Sequence, residues 1–268
     1  MNTKQQKLEA FSRLLDVMDE LREKCPWDMK QTNESLRHLT IEETYELSDA
    51  ILKNDATEIK KELGDVLLHL VFYARIGSEK NQFDIADVCN ALCDKLIYRH
   101  PHIYGDPENS GQVVKADTAE QVKENWEQLK LKEGNKSVLS GVAKGTPSIV
   151  KALRMQEKAA QVGFDWPTPK EVWAKVDEEL AELKEEFEVN PDSEKTEKEF
   201  GDYLFSLVNL ARKYNINPDD ALEKTNLKFI ERFQYIEEKA KVLNKNLIDM
   251  TLDEMDIYWN EAKINPPK

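Results

Sequence analysis

Apolar residues recur along most of this chain every three or four positions, the period of a helix with one buried face. That period predicts helices over about 4–24, 34–53, 56–78, 84–98 and 117–132, then over 147–161, 169–188, 194–214, 218–243 and 251–263. No run alternates as a half-buried strand would. Helix breakers fall between these segments: Pro26, Asn54-Asp55, Pro101, Pro107, Gly134-Asn135, Gly145 to Pro147, Pro167 to Pro169, Pro191 and Pro218. Thr57 and Thr118 stand where a helix start favours a hydroxyl. The pattern is that of an all-α protein.

One predicted helix carries an irregularity. In KELGDVLLHLVFYAR, residues 61 to 75, the positions Leu63, Val66, Leu67, Leu70, Val71 and Ala74 make an apolar face. Gly64 interrupts it, at a cost of roughly 1 kcal/mol relative to alanine. Glu62 and Asp65 lie beside apolar residues rather than on a solvated face. The same stretch returns as KEFGDYLFSLVNLAR, residues 198 to 212. Glu62/Glu199, Gly64/Gly201, Asp65/Asp202, Leu67/Leu204, Leu70/Leu207, Val71/Val208, Ala74/Ala211 and Arg75/Arg212 are identical at an offset of 137.

Other landmarks repeat in the same order. IEETYEL (41–47) corresponds to DEELAEL (177–183), and Lys95/Arg99 to Lys228/Arg232. Trp27-Asp28 precedes one set and Asp165-Trp166 the other. These landmarks predict two duplicated all-α modules, residues 1–104 and 147–268. A connector, 105–146, contains an amphipathic helix around Trp126.

The duplicated acids suggest chemistry. Residues three apart share a helix face, so Glu43 pairs with Glu46 and Glu62 with Asp65. A turn at Asn54-Asp55 would bring both pairs into one space, and Glu179, Glu182, Glu199 and Asp202 repeat the set. Four clustered carboxylates repel strongly unless cations neutralise them. Ligands that are all oxygen suit a hard ion, Mg²⁺ or Mn²⁺. Lys228 and Arg232, one turn apart, would grip a polyphosphate, and Lys175 and Lys195 flank the second quartet. Gly64 and Gly201 would admit a neighbouring helix or a substrate beside the metal, or meet a need for a small residue in helix packing. The bland alternative is that each acid pair is a solvated face, since 52 of 268 residues are acidic. Pairing, helix order and duplication weigh against it. His38, His69, His100 and His102 are expected in structural roles.

Composition narrows the classes further. A net charge of −14 argues against coating nucleic acid or an anionic membrane, though not against an anionic ligand bridged by a cation. No apolar stretch is long enough to span a bilayer, and Cys25, Cys89 and Cys93 are expected as reduced thiols. A cytoplasmic location is the default expectation. No Walker A loop, nucleophile elbow or dinucleotide fingerprint is present. A di-iron carboxylate bundle would need Glu-x-x-His pairs, which are absent. A helical adaptor without catalysis is the other rival, and it would be indifferent to loss of all eight acids.

Over nearly its whole length the chain resembles the tandem-domain MazG nucleoside triphosphate pyrophosphohydrolases. The matching stretches are CPWDMKQT (25–32), EETYEL, ELGDVLLHLVFYA, RHPHIYGD (99–106), NWEQLKLKE (125–133), GFDW (163–166), EELAEL, EFGDYLFSLVNLAR and NLKFIERF. The resemblance implies an all-α nucleoside triphosphate pyrophosphatase fold with each helix bundle completed by dimerisation. It implies a homodimer that cleaves ribo- and deoxynucleoside triphosphates between the α- and β-phosphates, with Mg²⁺. It implies a catalytic second module, with Glu179, Glu182, Glu199 and Asp202 as metal ligands and Glu178 as candidate base. Lys175 to Glu178, Lys195 to Lys198, Lys228 to Arg232 and Trp259 would surround the nucleotide. Glu43, Glu46, Glu62 and Asp65, with Lys95 and Arg99, would form a second site that is mainly structural or holds a separate activity.

Overall fold

The computed structural model describes residues 1–105 and 137–264, with isolated positions between 116 and 129. The chain divides into two compact units, residues 1–126 and 127–268. Among the described residues every regular element is helical. None of these helices is long and apolar enough to cross a membrane.

The first unit contains α1 (Lys4–Lys24), α2 (Asn33–Leu52), α3 (Ala56–Glu79), α4 (Ile85–Arg99) and a single turn, α5 (Pro101–Tyr104). Local sequence sets the starts. Thr3 and Gln6 form a reciprocal capping box on α1, Thr32 and Ser35 one on α2, and Asp84 and Asp87 one on α4. The cap of α3 differs from the expectation at Thr57. Asp55, in extended backbone, accepts from the Thr57 and Glu58 amides at 2.9 and 3.2 Å, so Thr57 is already inside the helix. Asn54, Asn81, Asn215 and Asn244 take the left-handed conformation just past helix ends, where asparagine is tolerated.

The core of this unit is Met18, Leu36, Val71, Phe72 and Ile76, flanked by Phe11, Leu14, Leu15, Leu39, Leu68 and Tyr73. It lies between α1, α2 and α3, and Tyr73 Oη meets Thr40 Oγ1 at 2.6 Å across it. The predicted apolar face of α3 splits in two. Val71 and Ala74 are buried, whereas Leu63, Leu67 and Leu70 are 52%, 37% and 52% exposed. Their places in the interior are taken by Glu62 and His69.

The second unit contains α6 (Ser148–Gln161), α7 (Pro169–Val189), α8 (Glu194–Lys213), α9 (Pro218–Val242) and α10 (Leu252–Ile264). One apolar cluster here is Val172, Val176 and Leu210, with Tyr203 and Leu207 against them, and Leu183, Val208, Ile236, Ala240, Met250 and Ala262 are buried as well. α2 packs on α3 as α7 packs on α8, so the two acid-bearing helices are neighbours in each unit. The predicted helix over 117–132 falls mostly outside the described residues. At its start Thr118 Oγ1 accepts from the Gln121 amide at 3.3 Å, and the Trp126 ring stands edge-on to His100 at 5.1 Å.

Candidate active site

Neighbouring helices bring the duplicated acids together twice. In the first unit, Glu43 and Glu46 of α2 and Glu62 of α3 each offer a carboxylate oxygen within 4.8 Å of the others. In the second, Glu179 of α7 and Glu199 and Asp202 of α8 do the same. Each trio omits one member of its predicted quartet, Asp65 in the first and the exposed Glu182 in the second. Asp65 remains close enough to act on the first trio. Burial, then the charges of Asp65, Glu46, Glu62 and Glu42, push the Glu43 carboxyl above its ordinary value.

A lysine attends each buried acid. Lys61 Nζ donates to Glu62 Oε1 at 2.8 Å. Glu62 is 3% exposed, and its Oε2 is buried with no hydrogen-bond partner. Lys175 Nζ bridges Glu179 at 2.7 Å and Glu178 at 2.9 Å, and these two hydrogen bonds hold its ammonium pKa well above the ordinary value. Three carboxylates with one lysine leave a formal charge of −2 at each trio, which one divalent cation would neutralise. The orphaned Glu62 oxygen, which would pay for burial with nothing in return, fits the same requirement. An all-oxygen donor set suits a hard cation at both places.

The surroundings of the two trios differ. Beside the second lies a cavity of about 80 Å³ whose rim includes Lys175, Glu179 and Asp202. Trp166, Phe205 and Val172 wall it, and Ser206 and Asn209 of α8 complete it. Asp165, one residue before Trp166, is locked onto α8. It accepts from Arg212 Nη1 at 3.0 Å, from Arg212 Nη2, and from Lys213 Nζ at 2.7 Å. Burial pushes the Asp165 carboxyl up, but these hydrogen bonds outweigh it and hold the group below the usual carboxylate range. At the positions equivalent to Ser206 and Asn209 the first unit has His69 and Phe72, and Phe72 is core, 2% exposed. Burial lowers the His69 pKa against the opposing charge of Asp65, and its Nδ1 has no partner.

The other expected residues are placed as follows. Lys195 pairs with Glu186, and Lys198 with Glu194 at 2.9 Å, so both are engaged with carboxylates. Lys228 lies on the same helix as Arg232, whose guanidinium sits 5.4 Å from the centre of the Trp259 ring. Phe229 packs against that ring at 5.2 Å. Lys228, Arg232 and Trp259 are not among the described walls of the cavity. Lys95 and Arg99 lie on α4.

Gly64 and Gly201 are not packing glycines. A Cβ on either would meet nothing within 4 Å, whereas one on Gly77 would strike Phe83 at 2.8 Å. Among the described residues the space over both repeat glycines is open, so close approach of a described helix is not their reason.

Sequence reasoning did not single out Phe205, Ser206 or Asn209, nor the pairing of Asp165 with Arg212. The usable signal was the pairs at which the two copies disagree, His69/Ser206 and Phe72/Asn209. There a buried helix face turns from aromatic to small and polar.

Comparison with known proteins supplies the remaining finding. The family model described as MazG nucleotide pyrophosphohydrolase domain matches residues 31–104. The chain is 43% identical to the nucleoside triphosphate pyrophosphohydrolase/pyrophosphatase MazG of Thermotoga maritima, over 94% of this chain and 95% of that protein. It is 37% identical to the nucleoside triphosphate pyrophosphohydrolase of Escherichia coli, over 96% and 98% of the two. An uncharacterized Bacillus subtilis protein, YabN, is 44% identical over 97% of this chain but only 53% of its own length.

Proposed function

Since the chain belongs to the MazG family of nucleotide pyrophosphohydrolases, we propose that its second acidic trio is where triphosphates are cleaved. The protein is a nucleoside triphosphate pyrophosphohydrolase, which converts the triphosphate to a monophosphate and pyrophosphate. The observation that carries the assignment to the second unit is the cavity, which opens directly beside Glu179 and Asp202.

Glu179, Glu199 and Asp202, with Glu182 one turn along α7, would hold Mg²⁺, and Mn²⁺ would substitute. When bound, such an ion offsets charge on the phosphate chain and acidifies a water. Lys175 fixes the orientation of Glu179. Glu178, exposed and tethered to the same lysine, is positioned to accept the proton of an attacking water. Lys195 and Lys198 would exchange Glu186 and Glu194 for phosphate oxygens and, with Lys228 and Arg232, stabilise the leaving pyrophosphate. Trp259 offers an aromatic face to the nucleotide beside the Arg232 cation.

The first trio, with Asp65 nearby and Lys95 and Arg99 on α4, is assigned a cation with a mainly structural role. The buried, unpartnered Glu62 oxygen supports this reading. A homodimer is supported by matching exposed apolar rows, Leu63, Leu67 and Leu70 on α3 and Phe200 and Leu204 on α8. A reducing cytoplasm suits three free cysteines.

The test is product analysis of several triphosphates incubated with Mg²⁺. Monophosphate with pyrophosphate is expected; diphosphate with orthophosphate overturns the cleavage position. Full turnover by Asp202→Asn would remove the second trio from the reaction.

A further inference from the structure

We propose that the cavity beside the second trio receives the pentose of the nucleotide, and that Asn209 and Ser206 bind one of its hydroxyls. This rests on triphosphate cleavage at that trio. In a nucleotide the pentose is the ring joined directly to the phosphate chain, and the base lies one ring further out. A group seated against Glu179 and Asp202 is therefore the sugar.

Size and walls agree. A cavity of about 80 Å³ holds roughly six water-sized units, at about 10–15 Å³ each, which is room for one five- or six-membered ring. Trp166 and Phe205 give it aromatic walls, against which the apolar face of a sugar packs.

The polar end is specific. Asn209, 4% exposed, accepts through Oδ1 from Arg212 Nε at 3.0 Å and Nη2 at 2.7 Å. A guanidinium can only donate, so the amide orientation is forced and Nδ2 is the group left for a ligand. Arg212 is itself held by Asp165, which fixes the direction of that donor. Ser206, one turn earlier on α8, spends its hydroxyl proton on Tyr203 O at 2.8 Å, leaving its oxygen as an acceptor. A donor and an acceptor one helical turn apart match a hydroxyl, which both accepts and donates. The first unit offers no such pair: Phe72 replaces Asn209 and lies in the core.

The experiment compares kcat/KM for one ribonucleoside triphosphate, its 2′-deoxy form and its 3′-deoxy form. In the unaltered protein, loss of the recognised hydroxyl should lower kcat/KM roughly 2- to 10-fold, the range of one hydrogen bond to a neutral group. In Asn209→Ala the penalty should vanish while preference among bases is unchanged. Ser206→Ala removes the acceptor and leaves the Asn209–Arg212 contact intact, so it should reduce the same penalty and covers the case in which the Asn209 variant does not fold. A cation-free readout accompanies these. Nucleoside monophosphate should quench tryptophan fluorescence, and Trp166→Phe should remove the part of that quench contributed by the cavity wall. A penalty that persists in both Asn209→Ala and Ser206→Ala, or a variant that changes base preference instead, overturns the assignment. Absence of any pyrophosphate release from the unaltered protein would mark failure of the underlying reading instead.

Discussion

The two acidic trios are built from equivalent helices, yet their neighbourhoods have diverged. Glu62 of the first is buried against Lys61 with one oxygen unpartnered, and Phe72 completes an aromatic core behind it. Glu179 of the second is held by Lys175, and the same place on α8 is Asn209 beside an open cavity. At that position the first unit buries an aromatic side chain, Phe72, within its apolar cluster, whereas the second buries a polar one, Asn209. A carboxylate cluster offers a cation its ligands. Turnover also needs space beside it, and among the described residues a cavity lies beside the second trio.

The strongest way to break this comparison is to remove one acid from each side. Asp202→Asn should lower the rate of pyrophosphate release on the order of 10³-fold, the loss of several kcal/mol of charge stabilisation. Glu62→Gln should lower it far less, and should instead reduce the gain in melting temperature on adding Mg²⁺ to the part contributed by the second trio. Equal losses of turnover would make the two sites equivalent.

Core truncation sharpens the contrast in stability. Phe72→Ala should destabilise the first unit by about 3–5 kcal/mol in denaturant titration. Asn209→Ala, which removes a partner of Arg212, should cost the second only about 1–3 kcal/mol.

Acid should weaken both units through locks of opposite polarity. Hydrogen bonds from Arg22 to Glu79, at 2.8 and 3.0 Å, hold that carboxyl below its ordinary value in the first unit. In the second the arginine is on α8 and Asp165 is the depressed acid. A depressed carboxylate stabilises the fold above its unfolded pKa, about 4, and that contribution is lost as pH falls through the lower folded value. Calorimetric melts between pH 2 and 6 should therefore show midpoints falling below about pH 4. Glu79→Gln should flatten the profile of one unit and Asp165→Asn that of the other. The smallest expected effect is at the repeat glycines. Gly64→Ala and Gly201→Ala should each stabilise by roughly 0.5–1 kcal/mol, because the added methyl meets nothing in the chain. Only Gly201→Ala should reduce turnover.

Helices were legible because their determinants are local. Apolar period and cap chemistry set most boundaries within a residue, as at Lys4–Lys24 and Ala56–Glu79. Even the missed cap has a local reason: Asp55 and Thr57 are both good caps, and only the backbone angles choose between them. The acids were legible because the chain states them twice. The cavity was not, since it depends on where the copies differ and on Asp165 reaching across 47 residues to Arg212. No period or motif encodes that pairing. Nor did periodicity separate the inward from the outward apolar residues of α3, because Leu70 and Val71 are equally apolar and only packing assigns them sides.

The rows Leu63, Leu67, Leu70 and Phe200, Leu204 carry a consequence for valence. One chain bears the same kind of exposed apolar strip twice, which in the proposed homodimer would make it bivalent toward copies of itself. A copy that meets both strips at once closes the assembly and gains the second contact at high effective concentration. A copy that meets one strip leaves the other open, and the assembly can grow into a string. Mutating one strip at a time would turn that choice into a change of stoichiometry.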